Sequence, residues 1–189
     1  MAFEDFQTKE SVIIVYTGES KGKTSAAMGL MTRALGNRWK VAVIQFIKYW
    51  GVGEHVFIRD IMPIYKDKLY FYKGGKGFYK AGDMSAQHVS EEQHKQAAQL
   101  TYDEALSAAI SGEYDLVICD EINNAVHEGL ISREQLMTLM MTKAPTTSLC
   151  LTGRDFPKDL LDKVDIATDM TKLKHHFDDK FLANKGIDF

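Results

Sequence analysis

The sequence reads VIIVYTGESKGKTS from Val12 to Ser25. Residues 12–16 are apolar and mostly β-branched, which predicts a buried strand. Apolar residues recur at helical spacing in residues 23–35, and Gly36 follows as a stop signal, so a helix is predicted there. A strand, a glycine-containing turn that ends in Lys-Thr, and a helix together form the context of a Walker A loop. The stretch therefore predicts a loop that binds the phosphates of a nucleotide.

Two side chains of this loop have specific roles toward a triphosphate, and both are predicted to be catalytic. Lys23 neutralises phosphate charge, and Thr24 offers its hydroxyl group to Mg²⁺. Backbone N–H groups of the loop and of the helix start point at phosphate oxygens. The pattern has glycine where this chain has Thr17, and a glycine-rich turn before an ordinary helix is the alternative. The predicted nucleotide-binding residues of the loop are Thr17, Gly18, Glu19, Ser20, Lys21, Gly22, Lys23, Thr24 and Ser25.

A second segment, LVICDE, places two acidic residues directly after four apolar ones. Ligands of open α/β sheets bind at the carboxyl ends of the strands, where Asp120 and Glu121 are expected to lie. A carboxylate there holds Mg²⁺ directly or through water, so both are predicted metal ligands, and Glu121 is also a predicted catalytic residue. The alternative is that the two acids cap the next helix.

Apolar runs alternate with helical patterns along most of the chain. Further strands are predicted at residues 40–47, 69–72, 115–119, 146–151 and 164–170. Further helices are predicted at residues 90–110, 132–141 and, in a shorter form, 157–163. This alternation indicates a mostly parallel sheet with helices on both faces. We predict one α/β domain, residues 1–189, of the RecA-like P-loop NTPase type, with irregular structure in residues 48–88 outside the short strand and in residues 174–189.

Composition argues against several other classes of protein. The net charge of −3 gives no sign of bulk attraction to nucleic acid or anionic lipid. Cys119 and Cys150 each lie in an apolar run, which predicts buried free thiols and a reducing compartment. No apolar run approaches the roughly 20 residues that span a bilayer, and residues 1–11 are unlike a signal peptide. A cytoplasmic location is therefore predicted, without membrane or nucleic-acid partners.

An ordered set of motifs resembles the ATP:corrinoid adenosyltransferases of the CobA type, and the match covers most of the chain. The family shares the atypical loop with Thr before Gly, the acidic pair, and a closing segment rich in Lys, His and Asp. The matching residues are Thr17-Gly18, Lys21-Gly22-Lys23-Thr24, Gln45-Phe46-Ile47-Lys48, Asp120-Glu121, Thr152-Gly153-Arg154 with Pro157, Lys174-His175-His176-Phe177-Asp178 and Lys185-Gly186-Ile187-Asp188-Phe189. Each motif alone is weak, whereas the ordered set is specific.

The resemblance implies an unusual use of ATP. The family transfers the 5′-deoxyadenosyl group of Mg-ATP to the cobalt of a reduced corrinoid and releases triphosphate, with ATP held in reverse so that C5′ is exposed. It also implies that Arg154 binds the nucleotide and that the chain forms a homodimer served by an electron-donating flavoprotein. The family packs a Gly-Phe-Thr-Trp motif under the corrin. The matching residues here place Phe78 and Tyr79 at the corrinoid and Lys80 at the Trp position.

Other functions remain open from the residues alone. In a P-loop ATPase, Asp120 would hold Mg²⁺ and Glu121 would activate water to attack the γ-phosphate. A nucleotide-binding module without chemistry is a third possibility, which the altered motif at Gly77-Phe78-Tyr79-Lys80 keeps open. The basic and aromatic run in residues 65–80 also fits half-buried strand aromatics or, less well in an acidic chain, a platform for single-stranded nucleic acid.

Overall fold

The structure, a computed structural model, describes residues 6–48, 51–77 and 89–189. Within these residues, parallel strands form one six-stranded sheet with the order β3-β2-β4-β5-β1-β6. The strands are β1 Ile13–Thr17, β2 Val41–Gln45, β3 Leu69–Lys73, β4 Leu116–Asp120, β5 Ser148–Thr152 and β6 Ile166–Asp169. The helices are α1 Lys23–Gly36, α2 Gly53–Tyr65, α3 Glu91–Ile110, α4 Ile122–His127 and α5 Arg133–Thr142. Short 3₁₀ helices cover Lys66–Lys68, Lys158–Lys163 and His176–Asp179.

Apolar side chains of the central strands alternate between two cores, one on each face of the sheet. Val41 and Val43 pack with α1 and α2, whereas Ala42 and Ile44 pack with α3, α4 and α5. Successive side chains of a strand point to opposite faces, so a strand that is apolar throughout requires helices on both sides. This architecture confirms the predicted α/β fold class with a parallel sheet of the P-loop NTPase type.

Local signals placed α1, α3 and α5 correctly. Ser90 and Ser132 cap α3 and α5, and each forms a capping box with the glutamine three residues later. Each serine hydroxyl accepts a hydrogen bond from a backbone N–H that has no acceptor within the helix. Gly112 follows α3 with φ of 70°, as expected for a helix stop.

The prediction of irregular structure between residues 48 and 88 was wrong for α2. Three local features concealed this helix: it begins at Gly53, its N-cap Val52 has no capping side chain, and its last turn contains Pro63. The helix forms because its apolar face packs on the sheet, where Ile58 is completely buried beside β2 and β3. Such packing overrides weak local propensity. The short helix α4 and the 3₁₀ helix at His176–Asp179 were also not predicted.

The two cysteines and the length and polarity of the helices also relate to predictions from the sequence. Cys119 and Cys150 are free and completely buried, as predicted. Burial raises the pKa of the Cys119 thiol to about 12, so this group packs as an apolar side chain. Among the described residues, every helix is too short or too polar to cross a membrane.

Candidate functional site

The phosphate loop between β1 and α1 is shaped by two glycines with positive φ. Gly18 has φ of 100° and Gly22 has φ of 110°. A Cβ atom on Gly18 would collide with Asp169 and with the backbone of Met170, so the loop lies directly against the end of β6. The backbone of Ser20 donates a hydrogen bond of 2.9 Å to the carbonyl of Met170. Thr17 is the last residue of β1 and does not have a positive φ, so its backbone conformation does not require the glycine of the pattern.

Lys23 begins α1 and extends back over the loop. Its ammonium group donates hydrogen bonds of 2.6 Å to the carbonyls of Gly18 and Ser20. Burial lowers the pKa of Lys23, and the nearby carboxylate of Glu121 partly opposes this effect. The first N–H groups of α1 have no acceptor within the helix, so they are available to an anion beside this lysine.

Asp120, at the end of β4, is the centre of a buried polar network. One carboxylate oxygen accepts hydrogen bonds from the Thr24 hydroxyl at 3.0 Å and the Thr152 hydroxyl at 2.7 Å. The other accepts one from Gln45 Nε2 at 2.9 Å and lies 3.4 Å from Lys48 Nζ. Because β5 lies between β1 and β4, Thr152 reaches Asp120 from the strand between the loop and the acids.

The same network continues to helix α2. Gln45 donates through its amide nitrogen to Asp120, so its oxygen faces His55 and accepts a hydrogen bond of 2.6 Å from Nε2 of that ring. Burial lowers the pKa of His55, which favours the neutral ring. Gln45 is completely buried, so it holds Asp120 in place from the side away from the loop. Sequence reasoning noted Gln45 only as part of a motif and assigned no role to His55.

Glu121 follows Asp120 in the left-handed region, with φ of 65°. Its backbone N–H donates a hydrogen bond of 2.9 Å to the Thr152 hydroxyl, which fixes the turn into α4. Burial, followed by the charge of Asp120, raises the pKa of Glu121 to about 7, although Lys48 and Lys23 act in the opposite direction. The half-buried carboxyl group is therefore less acidic than an ordinary glutamate, although two cations act in the opposite direction.

We expect Glu121→Gln to stabilise the metal-free protein at pH 8 but not at pH 4. The folded-state pKa is raised, so the unfolded chain loses this proton first and stability falls as pH rises from about 4.5 to about 7. Removing the charge should therefore raise the free energy of unfolding by up to about 3 kcal/mol at pH 8. Urea unfolding with EDTA at both pH values checks this. An equal difference in the free energy of unfolding between the variant and the parent at pH 8 and pH 4 would contradict this expectation.

The loop and the acids face a cavity of about 900 Å³ at the carboxyl edge of the sheet. Residues 19–25 of the loop line it together with Lys48, Glu121 and Arg154. The guanidinium group of Arg154 lies 3.3 Å from the carboxylate of Glu19, so these two side chains pair across the mouth of the cavity. The lining thus combines the phosphate loop with four basic side chains, Lys21, Lys23, Lys48 and Arg154, and with several carboxylates, among them Glu54 and Glu121.

The C-terminal segment closes one side of this cavity, which the sequence alone did not reveal. Residues 186–189 line it. The carboxylate of Asp188 pairs with the ammonium group of Lys21, and its side chain is only 3% exposed. His176 Nε2 lies 3.5 Å from the same carboxylate. A segment that sequence reasoning treated as irregular is therefore attached to the phosphate loop.

The predicted site residues fall into three groups by position. Glu19, Ser20, Lys21, Gly22, Lys23, Thr24, Ser25, Glu121 and Arg154 line the cavity. Thr17, Gly18 and Asp120 lie behind the lining, where Thr17 accepts a hydrogen bond from the Phe156 backbone and Gly18 one from Lys23. Phe78 and Tyr79 lie outside the described residues.

The oxygen atoms near Thr24 fit a magnesium ion that is shared with phosphates. In the described part of the chain, no three His, Cys, Asp or Glu side chains form a metal-binding cluster. Mg²⁺ is commonly held by one or two carboxylates together with substrate phosphates and water, so such a cluster is not required. The Thr24 hydroxyl, Asp120 and Glu121 supply hard oxygen donors. The Lys48 ammonium group already lies among two of them, which shows that these oxygens attract a cation.

The parallel sheet and its phosphate loop define a P-loop protein of the α/β class. The chain belongs to the ATP:corrinoid adenosyltransferase family, since the model of the family described as ATP:corrinoid adenosyltransferase BtuR/CobO/CobP matches residues 9–189. This confirms the resemblance seen in the sequence motifs and makes the chain a member of a family of transferases.

Curated relatives agree with this assignment. The chain is 30% identical to a corrinoid adenosyltransferase of Pseudomonas aeruginosa, over 96% of this chain and 85% of that protein. It is 31% identical to one of Sinorhizobium sp, over 96% of this chain and 81% of that protein. Flagellar accessory protein FlaH from Methanocaldococcus jannaschii shares the fold, with a TM-score of 0.51 at 14% identity over 85% of this chain and 71% of that chain.

Proposed function

We propose that this chain transfers the 5′-deoxyadenosyl group of Mg-ATP to the cobalt of a reduced corrinoid and releases triphosphate. One observation carries the proposal. Five segments that resemble the family each contribute residues to one cavity, although they are far apart in the sequence. They are residues 17–24, 45–48, 120–121, 152–154 and 185–189. Convergence of the family's motifs on a single cavity supports conservation of the family's reaction.

The chemistry requires positioning and charge stabilisation more than proton transfer. Reduced cobalt attacks C5′ with its electron pair, the cobalt–carbon bond forms, and the C5′–O bond breaks. The bonding pair leaves on the triphosphate, so negative charge develops there. Lys23 and the amides of the loop stabilise this charge, and the loop holds C5′ in line with the metal. Bound Mg²⁺, held by Thr24, Asp120 and Glu121, would neutralise further phosphate charge.

An ATPase remains the second candidate, and Glu121 favours it. A carboxyl group with a pKa of about 7 is suited to general-base activation of water, and this group lines the same cavity as the loop. In that reading the products are ADP and phosphate, whereas adenosyl transfer yields intact triphosphate.

Product analysis separates the two candidates. Protein, Mg-ATP and chemically reduced cobalamin are incubated anaerobically, the visible spectrum follows formation of the cobalt–carbon bond, and chromatography identifies the phosphate products. We expect an adenosylated corrinoid and one triphosphate per turnover. ADP and phosphate without a cobalt–carbon product would support the ATPase instead, and nucleotide binding without either product would support a module without chemistry.

Three further parts of the proposal concern partners. We propose a homodimer, supported by exposed large apolar side chains in the segment that follows β6, namely Leu173, Phe177, Phe181 and Leu182. Sedimentation analysis tests it, and a monomer at micromolar concentration would contradict it. The electron-donating flavoprotein and the corrinoid contacts of Phe78 and Tyr79 also remain proposals.

A further inference from the structure

Lys48, just after β2, has a position that neither the sequence nor the proposed roles explain. Its ammonium group lies 2.6 Å from Glu54 Oε1, 3.3 Å from Thr24 Oγ1 and 3.4 Å from Asp120 Oδ2. The side chain is only 15% exposed, yet it lines the cavity that the phosphate loop faces. A cation thus lies among the oxygens of Thr24, Asp120 and Glu54.

This position conflicts with metal binding by the same oxygens. Mg²⁺ binds oxygen at 2.0–2.1 Å and Thr24 and Asp120 are its proposed ligands, so the ion would lie a few ångströms from Lys48 Nζ. Two cations at that distance inside a half-buried site repel each other strongly. The ammonium group therefore has to leave these oxygens when the metal enters.

Two features of the surroundings indicate which partner moves and where it goes. Asp120 is fixed from behind by Gln45 and Thr152, both completely buried, whereas Lys48 has a flexible stem at the cavity wall. The loop faces the same cavity, and its two lysines already have partners: Lys23 is engaged by two loop carbonyls, and Lys21 pairs with Asp188. A triphosphate carries more negative charge than Lys23 and one Mg²⁺ neutralise together, so it attracts a further cation.

We propose that Lys48 is a second triphosphate-binding residue. It contacts the Thr24 hydroxyl and neutralises the carboxylates of Asp120 and Glu54 until Mg²⁺ and the nucleotide enter, and then it binds the phosphates. This inference rests on the proposed function only in requiring that a triphosphate binds at the loop. If adenosyl transfer occurs, Lys48 contacts the leaving group and stabilises the charge that develops as the C5′–O bond breaks. It would then act beside Lys23.

The test uses two ligands on which the inference predicts opposite effects. Lys48→Met removes the charge and keeps most of the stem. Mn²⁺ binding to the nucleotide-free variant, measured by electron paramagnetic resonance, should tighten by roughly tenfold because a competing cation is gone. Binding of Mg-tripolyphosphate, measured by calorimetry, should weaken by roughly tenfold or more because a charged contact is lost. Lys143→Met is the control for net charge. Lys143 contacts Ser11 at the amino ends of the strands, away from the cavity, so its substitution should change neither affinity.

A purely structural role of Lys48 would weaken both affinities or leave both unchanged, and either result overturns the inference. Glu54→Gln provides a second variant in case Lys48→Met does not fold. It removes the strongest partner of the ammonium group, so tripolyphosphate should bind at least as tightly as in the parent, and weaker binding would contradict the inference. Because tripolyphosphate contains no adenosyl group, failure of the product assay would leave these binding results interpretable.

Discussion

Lys23→Ala should abolish productive use of ATP. The variant removes an ammonium group that lies over the phosphate loop and donates hydrogen bonds to the carbonyls of Gly18 and Ser20. Loss of this cation should cost about 3 kcal/mol or more in the transition state, which corresponds to at least roughly a hundredfold loss of rate. Calorimetry with Mg-ATP measures the effect on nucleotide affinity, and turnover with reduced cobalamin measures the effect on the rate.

Two controls separate a lost phosphate contact from a damaged loop. Lys172→Ala removes a surface lysine that pairs with Asp178, and it should retain full turnover. Thermal unfolding of Lys23→Ala should show a folded protein, since an alanine at the first position of α1 is compatible with the helix. If Lys23→Ala has the same affinity and turnover as the parent, neither Lys23 nor the loop belongs to the proposed site.

Asp120→Asn should raise the Mg²⁺ concentration required for half-maximal activity by roughly tenfold or more. The amide has the same shape as the carboxylate, and the hydroxyls of Thr24 and Thr152 can rotate to accept from its nitrogen, so the fold should persist. The negative charge is lost, and both the metal and Lys48 have a weaker partner. Asp120 is completely buried next to Thr24, and we expect it to hold the metal there directly or through water.

Magnesium titration of turnover measures the effect, and Glu121→Gln is the comparison because its carboxyl group lines the cavity directly. We expect both variants to require more Mg²⁺. If both retain the parent's dependence on Mg²⁺, neither carboxylate is near the metal. If only Glu121→Gln changes, Asp120 serves to hold Thr24 in place.

Much of this protein follows from short-range patterns, for physical reasons that act within a few residues. Local backbone geometry determines three of these patterns: apolar strands that alternate with helices, the capping boxes at Ser90 and Ser132, and the glycines of the phosphate loop. The acids after β4 were placed near the loop because carboxyl ends of parallel strands meet at one edge of a sheet. The parallel α/β fold could therefore be predicted from the sequence.

Other features depend on contacts between distant segments. The helix α2 contains a proline and lacks a capping side chain, and it forms because Ile58 is buried against the sheet. Lys48 and the network from His55 to Asp120 join residues that only the strand order brings together. Asp188 reaches Lys21 across more than 160 residues of sequence. The sequence by itself determined the loop, the strands and the family, because those signals are local. The tertiary structure alone decided which charges share the cavity, since an ion pair depends on distance in space and not on separation along the chain.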